Sequence, residues 1–241
     1  MKRYLFVDTE TTGLPFDYDL PVQFSDNWPR MVQVGFMLVN EDRSIVEEGS
    51  MIIKPDGYTL PTAASDIHQI TTRMARRQGV SLELALMKIE LLASEADYLV
   101  GHNIDFDQCI IDAEFHRVMH KTCLEHLPSY CTMLESAEYC GLGSHGNKWP
   151  RLEELYEVLF DESFEGAHDA MADIRATERC FWELVDRGVI CLEKDLPQHP
   201  APSQNSSKSD PQISPSLNAE SIGCFTVILI IFCLILLFQF I

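Results

Sequence analysis

Apolar positions along the chain fall first in short runs and then, from about residue 60, at helical spacing. Residues 3–8 (RYLFVD), 31–39 (MVQVGFMLV) and 45–54 (IVEEGSMIIK) predict three strands, and Pro55-Asp56-Gly57 predicts a turn after the third. Helical patterns follow near 62–68, near 72–78 and over 81–95. Residues 97–101 (DYLVG) read as a fourth strand. A helix is expected over 104–120, with Ile104, Ile111, Phe115 and Val118 on one face, then shorter helices over 132–140 and 151–160 and a longer one over 169–187. Strands first, then helix–strand alternation, imply an α/β domain whose mixed sheet is flanked by helices. No internal repeat is visible.

The pattern changes at residue 195. Residues 195–221 hold five of the twelve prolines and seven serines, without aromatics or periodicity, and read as a flexible Pro/Ser-rich linker. Residues 222–241 (IGCFTVILIIFCLILLFQFI) carry no charge and no polar stripe of the kind a core helix keeps. As a helix at about 1.5 Å per residue this run spans roughly 30 Å, the thickness of a bilayer core. The expectation is a transmembrane tail anchor at 222–241, contacting the lipid bilayer, with residues 1–194 as a domain in the cytosol. The endoplasmic reticulum is favoured if the source is eukaryotic. At the other end only Tyr4–Val7 are apolar before Asp8, too short a run for a secretory signal.

Composition narrows the function. The 241 residues, 46% hydrophobic and 23% charged, fit one globular domain with appendages and exclude a disordered, collagen-like or coiled-coil chain. Eighteen Lys and Arg against 37 Asp and Glu give a net charge of -19, of which -17 belongs to residues 1–194. Such a chain is no general nucleic-acid coat, because phosphate affinity comes mainly from Lys and Arg. Any handling of nucleic acid needs metal ions or a local basic patch. The eight cysteines form no CxxC pair and read as reduced core residues.

Three acidic clusters carry candidate chemistry. In FVDTETTG, Asp8 and Glu10 stand two apart on one strand and so project from the same face. Like charges that close are costly unless a cation sits between them; the other reading of the pair is a turn in which Asp8 satisfies backbone N–H groups ahead of Gly13. In GHNIDFDQ (101–108), Asn103 is a candidate N-cap that places Asp105 and Asp107 in the first helical turn, where the helix dipole favours acids anyway. In GAHDAMADIRAT (166–177), His168 and Asp173 are five apart. Within one helix they would diverge by about 140°, so they converge only if His168 lies on the preceding loop. Asp169 is then the candidate N-cap. Taken together, Asp8, Glu10, Asp107 and Asp173 with a histidine form a hard-oxygen set suited to Mg²⁺ or Mn²⁺ and to phosphodiester hydrolysis.

These motifs resemble the DnaQ-like (DEDDh) 3′–5′ exonucleases of the RNase H-like superfamily. FVDTETTG matches their first motif, HNIDFD the second, and HDAMAD, as HxxxxD, the third. SDIHQIT (65–71) resembles their nucleotide-contacting IHGIT loop, with Gln69 where glycine is usual. NWPRMVQVGF, SYCTM and KWPRLEELYEVLF are similar to bacterial-type members, and the resemblance covers about residues 1–190. The anchor is similar to that of the membrane-bound member of the three-prime repair group. The resemblance implies a five-stranded mixed sheet and two Mg²⁺ per site, with Mn²⁺ as a substitute. It implies that Asp8 bridges both ions, that Glu10 and Asp173 hold the first, and that Asp107 acts mainly through coordinated water. His168 is then the general base. The resemblance also implies that Thr11, Thr12, His68 and Asn103 lie near the 3′-terminal nucleotide, main-chain atoms around Thr11 and Thr12 meeting the 3′-OH.

The function expected on this basis is 3′–5′ hydrolysis of nucleic acid from its 3′ end, DNA favoured and single-stranded or frayed, with RNA or small oligonucleotides as the alternative substrate. A different class of reading is a membrane-tethered adaptor built on an inactive exonuclease fold. Arg73, Arg76 and Arg77 form the tightest basic cluster, just after the HQIT loop, and read either as a solvated helix face or as a phosphate contact. The sequence leaves the oligomeric state open.

Overall fold

The computed structural model describes residues 1–143, 148–164, 166 and 168–192. The linker and the apolar run 222–241 lie outside the described residues. Among the described residues no helix is long and apolar enough to cross a membrane.

Five strands form one sheet: β1 (Arg3–Thr11), β2 (Met31–Asn40), β3 (Ile45–Ile52), β4 (Tyr98–Gly101) and β5 (Ser129–Cys131). Their order is β3-β2-β1-β4-β5. β1 runs antiparallel to β2 and parallel to β4; β2 and β3 are antiparallel, and β4 and β5 parallel. The sheet is therefore mixed, as expected. The helices are α1 (Thr62–His68), α2 (Thr72–Gln78), α3 (Leu82–Glu95), α4 (Ile104–Met119), α5 (Thr132–Glu135), α6 (Ala137–Cys140), α7 (Leu152–Phe160) and α8 (Ala170–Asp186).

Alternation along β1 divides the core. Leu5 and Val7 join a cluster with Ile89 of α3 and Ile110 and Phe115 of α4, while Tyr4 and Phe6 join Leu155 of α7 and Phe181 of α8 on the other face. Buried on both faces, β2 is apolar apart from Gln33 and the terminal Asn40 and shows no polar alternation. Burying five or more large side chains on each side at about 1.5–3 kcal/mol each fixes the helices to their faces.

Two local expectations are corrected. The helix expected over 132–140 breaks at Ser136, whose hydroxyl donates to the Thr132 carbonyl at 2.6 Å and competes with the regular ladder. Asn103 does not cap α4 with its side chain. Its backbone sits at φ 70°, a left-handed conformation that asparagine tolerates, and no side-chain cap bond forms. β5 escaped the reading of apolar runs because three residues are too short to show a period.

Gly35 in the middle of β2 has a packing cause. A Cβ there would lie 2.7 Å from Ile174 Cδ1 and 2.9 Å from the Ala170 carbonyl oxygen, so α8 rests directly on the strand backbone. Gly35→Ala is expected to displace the start of α8 and to lower stability by about 1–3 kcal/mol, read as a shift in denaturant midpoint. A midpoint equal to that of the natural chain would show that α8 is not seated by this contact.

Candidate active site

Asp8 and Glu10 occupy the C-terminal end of β1, on the face that carries Tyr4 and Phe6 and packs against α8. Thr9, between them, points to the other face. There its backbone N–H and hydroxyl both donate to Asp107 Oδ1, at 2.9 and 2.7 Å. Asp107 is 4% exposed in the first turn of α4, so it reaches the end of β1 from the side opposite α8. Asp105, in the same turn, is exposed and stays outside the cluster.

The third contribution comes from the entry to α8. Asp169 is its N-cap, accepting from the backbone N–H groups of Met171 and Ala172 at 3.2 and 3.1 Å. That cap leaves His168 off the helix, at φ 68°, with its backbone N–H donating to Asp173 Oδ2 at 3.0 Å. The loop position required for His168 and Asp173 to converge is thus realised. Ligand atoms of Glu10, His168 and Asp173 lie within 4.8 Å of one another.

Electrostatics binds the four acids into one unit. Burial first, and then repulsion from Asp107, Asp173, Glu10 and Asp169, pushes the Asp8 carboxyl well above the usual range. Burial followed by Asp173 and Asp107 raises Glu10 to about 8. Asp107 rises to about 7 through burial, against the two Thr9 hydrogen bonds that favour its ionised form. Asp173 rises to about 6 through burial, opposed by the His168 contacts. Acids that would ionise together at neutral pH only with neutralisation are a fit for divalent cations, and their oxygens match the hard-ion preference.

The remaining expected contacts are placed around this cluster. Thr11 donates its hydroxyl to the Gly13 carbonyl at 2.7 Å, and the Thr12 hydroxyl accepts from Arg30 N–H at 2.9 Å. His68 is buried at the end of α1, Nδ1 accepting from Ile70 N–H at 3.0 Å while Nε2 has no protein partner. Burial lowers its imidazole pKa. Gln69 takes φ 59°, which explains why glycine is usual at this position of the resembling loop. Asn103 joins β4 to α4 four residues before Asp107.

Sequence reasoning missed Thr9, which ties β1 to Asp107, and Glu114. Glu114 is fully buried on α4 and accepts from Arg30 Nε and Met31 N–H, both at 2.9 Å, with Arg117 Nη1 3.0 Å away. It fastens the start of β2, where Met31 pairs with Thr11, beside the acid cluster. A signal existed: Glu114 sits three residues after Ile111, on the apolar face of the helix.

Comparison with known proteins agrees with this geometry. The Exonuclease family RNase_T matches residues 5–181. Over 189 residues the chain is 24% identical to the 3′-5′ exonuclease DinG of Bacillus subtilis (strain 168), covering 77% of this chain and 18% of that relative. Escherichia coli Exonuclease I in complex with a dT13 oligonucleotide is similar in structure, with a TM-score of 0.60 and 25% identity over 77% of this chain and 41% of that one. Exonuclease I from Methylocaldum szegediense shares the fold at a TM-score of 0.60 and 21% identity, over 78% and 41%. The chain thus spans less than half the length of each of these relatives. With the family match running from the second residue of β1's buried run to Phe181 of α8 and enclosing all four acids, this chain belongs to the Exonuclease family.

Proposed function

We propose that the protein is a metal-dependent 3′–5′ exonuclease that hydrolyses phosphodiester bonds from nucleic-acid 3′ ends. The observation that carries this reading is the convergence of Asp8, Glu10, Asp107 and Asp173 from both faces of the sheet, with His168 held beside Asp173. Asp8, Glu10 and Asp173 with Asp107 would hold two Mg²⁺, and Mn²⁺ would substitute. Bound there, the ions supply charge neutralisation at the scissile phosphate and activation of the attacking water.

The chain's own residues do the rest. Thr9 fixes the Asp107 carboxylate with two hydrogen bonds. His168, exposed on its loop, takes the proton of the attacking water, a task suited to imidazole near neutral pH. Backbone around Thr11 and Thr12 meets the 3′-OH and selects the end, with His68 and Asn103 beside the terminal nucleotide. Single-stranded DNA is the favoured substrate, supported by the oligonucleotide in the similar Exonuclease I structure. The run 222–241 is the membrane tether in this proposal, supported by its length and lack of charge.

Full-length protein in detergent, incubated with 5′-labelled single-stranded DNA and matched RNA, tests the reading. With Mg²⁺ the expected product is a ladder shortening from the 3′ end, faster on DNA and absent with EDTA. A faster RNA ladder would change the substrate. No shortening of either polymer with Mg²⁺ or Mn²⁺ would favour the adaptor class instead.

A further inference from the structure

The chain holds two acids for each Lys or Arg, so most of its cations are expected to find an acid partner. Among the described residues twelve of the sixteen Lys and Arg do form ion pairs. The four that do not are Lys54, Arg73, Arg76 and Arg77, and all four are exposed. Their side chains also make no hydrogen bond or cation–π contact among the described residues.

These four cations share one place in the fold. Lys54 follows β3, and its backbone N–H donates to the Val80 carbonyl at 2.8 Å, just past the end of α2. Arg73, Arg76 and Arg77 are on α2 itself. α2 is seated through Ala75, which packs with Val32, Leu60 and Ile70, and through Thr72, whose hydroxyl accepts from Leu60 N–H at 3.0 Å. Val32 lies at the start of β2, the end that pairs with Glu10 and Thr11 of β1. The basic patch and the acid cluster therefore stand at the same end of the sheet.

A chain of contacts leads from Thr12, two residues past Glu10, towards the patch. Thr12 bonds Arg30, the Arg30 guanidinium lies over the Tyr58 ring at 4.6 Å, and Tyr58 packs against the cluster that seats α2. Two strand spacings and the Ile53–Val80 bridge put Val80, whose carbonyl accepts from Lys54 N–H beside the patch, on the order of 15 Å from β1. A stacked strand rising about 3.4 Å per nucleotide covers that interval in four or five nucleotides.

Resting on the nuclease reading of the acid cluster, we propose that Arg73, Arg76, Arg77 and Lys54 form a phosphate track for single-stranded nucleic acid, four to five nucleotides from the scissile end. A strand approaching a domain of net charge -17 meets repulsion almost everywhere else, so unpaired guanidinium groups here select both the path and the minimum length of substrate. An anionic membrane surface would satisfy the same charges. The chain of contacts through Arg30 and Tyr58 favours the strand.

The test uses full-length protein in detergent with Asp8→Asn, which prevents hydrolysis, and a second form that adds Arg73→Gln, Arg76→Gln and Arg77→Gln. Anisotropy of labelled oligodeoxyadenylates of three and twelve nucleotides, whose bases stack, is followed from 50 to 200 mM salt. At about 0.7 per phosphate contact, loss of three contacts is expected to make the twelve-nucleotide salt slope shallower by about 2, a difference near twentyfold in affinity change across that range. The three-nucleotide strand is expected to bind both forms alike. Equal affinity and slope for the twelve-nucleotide strand overturn the track, as does an equal loss for both lengths. So does a loss seen only in flotation with phosphatidylserine vesicles, which would assign the patch to the membrane. A separate assay with Asp8 intact distinguishes the two readings: no hydrolysis with slope-dependent binding preserved removes the enzyme and keeps the track, whereas hydrolysis with an unchanged KM for the twelve-nucleotide strand in the arginine variant removes the track and keeps the enzyme.

Discussion

Asp8→Asn is expected to abolish hydrolysis of a 3′ end and, in the same protein without metal, to raise the melting temperature at pH 8. The two effects have opposite signs because one carboxylate serves both roles. Asp8 is surrounded by Asp107, Asp173, Glu10 and Asp169, and burial strengthens each repulsion. A neutral amide of the same shape removes one member of that set and relieves the others. It also removes a ligand from the centre of the proposed ion pair. Losing several kcal/mol of charge stabilisation in the transition state amounts to a rate drop of about 10³-fold or more. Rate measurement on labelled DNA beside thermal melts in EDTA checks both halves. Full activity in the variant would falsify the assignment of Asp8; a lower melting temperature would show that its carboxylate is satisfied by protein contacts rather than crowded by them.

Without metal, stability is expected to fall as pH rises from about 4 to 8. Glu10, Asp107 and Asp173 hold protons up to about 8, 7 and 6 in the folded chain. An unfolded chain releases them near 4. Across the interval the folded state binds more protons than the unfolded one, so each step up in pH favours unfolding. Partial exposure of Glu10 and Asp173 tempers the sum to the order of a few kcal/mol, or about 5–10 °C in a domain of this size. Mg²⁺ binds the ionised carboxylates, so its stabilisation is expected to be small at pH 5.5 and large at pH 8. Melts in EDTA and in Mg²⁺ across this range decide the matter. A metal-free melting temperature that climbs from pH 5.5 to 8, or one indifferent to Mg²⁺ at pH 8, contradicts a metal centre built from these four acids.

Acidity and nucleic-acid chemistry coexist here through separation. Cations elsewhere are engaged by acids: Arg43 by Asp186, Arg175 by Glu48 at 3.0 Å, and Lys2 by Asp97 at 2.9 Å. Exposed pairs of this kind add little stability each, but they remove those cations from competition for a polyanion. Among the described residues, what remains unpaired is confined to one patch near the proposed substrate path.

Much of this protein is determined by local sequence. The strands Arg3–Thr11 and Met31–Asn40 and the helices of α2, α3 and α8 follow from short-range burial patterns and hydroxyl or carboxylate caps at Thr71, Ser81 and Asp169. The same-face placement of Asp8 and Glu10 follows from strand alternation alone. Tertiary structure decided the rest, because it depends on pairings between distant segments. Asp107 and Asp173 are 66 residues apart and approach β1 from opposite faces, which neither helical period could reveal. Thr9 became Asp107's partner only once α4 packed against β1. Asn103 adopted a left-handed backbone where capping was expected. In sequence the three arginines of α2 read either as a solvated helix face or as a phosphate contact; among the described residues they differ from the paired cations because folding brought acids to those and none to these, a long-range sum that no local pattern encodes.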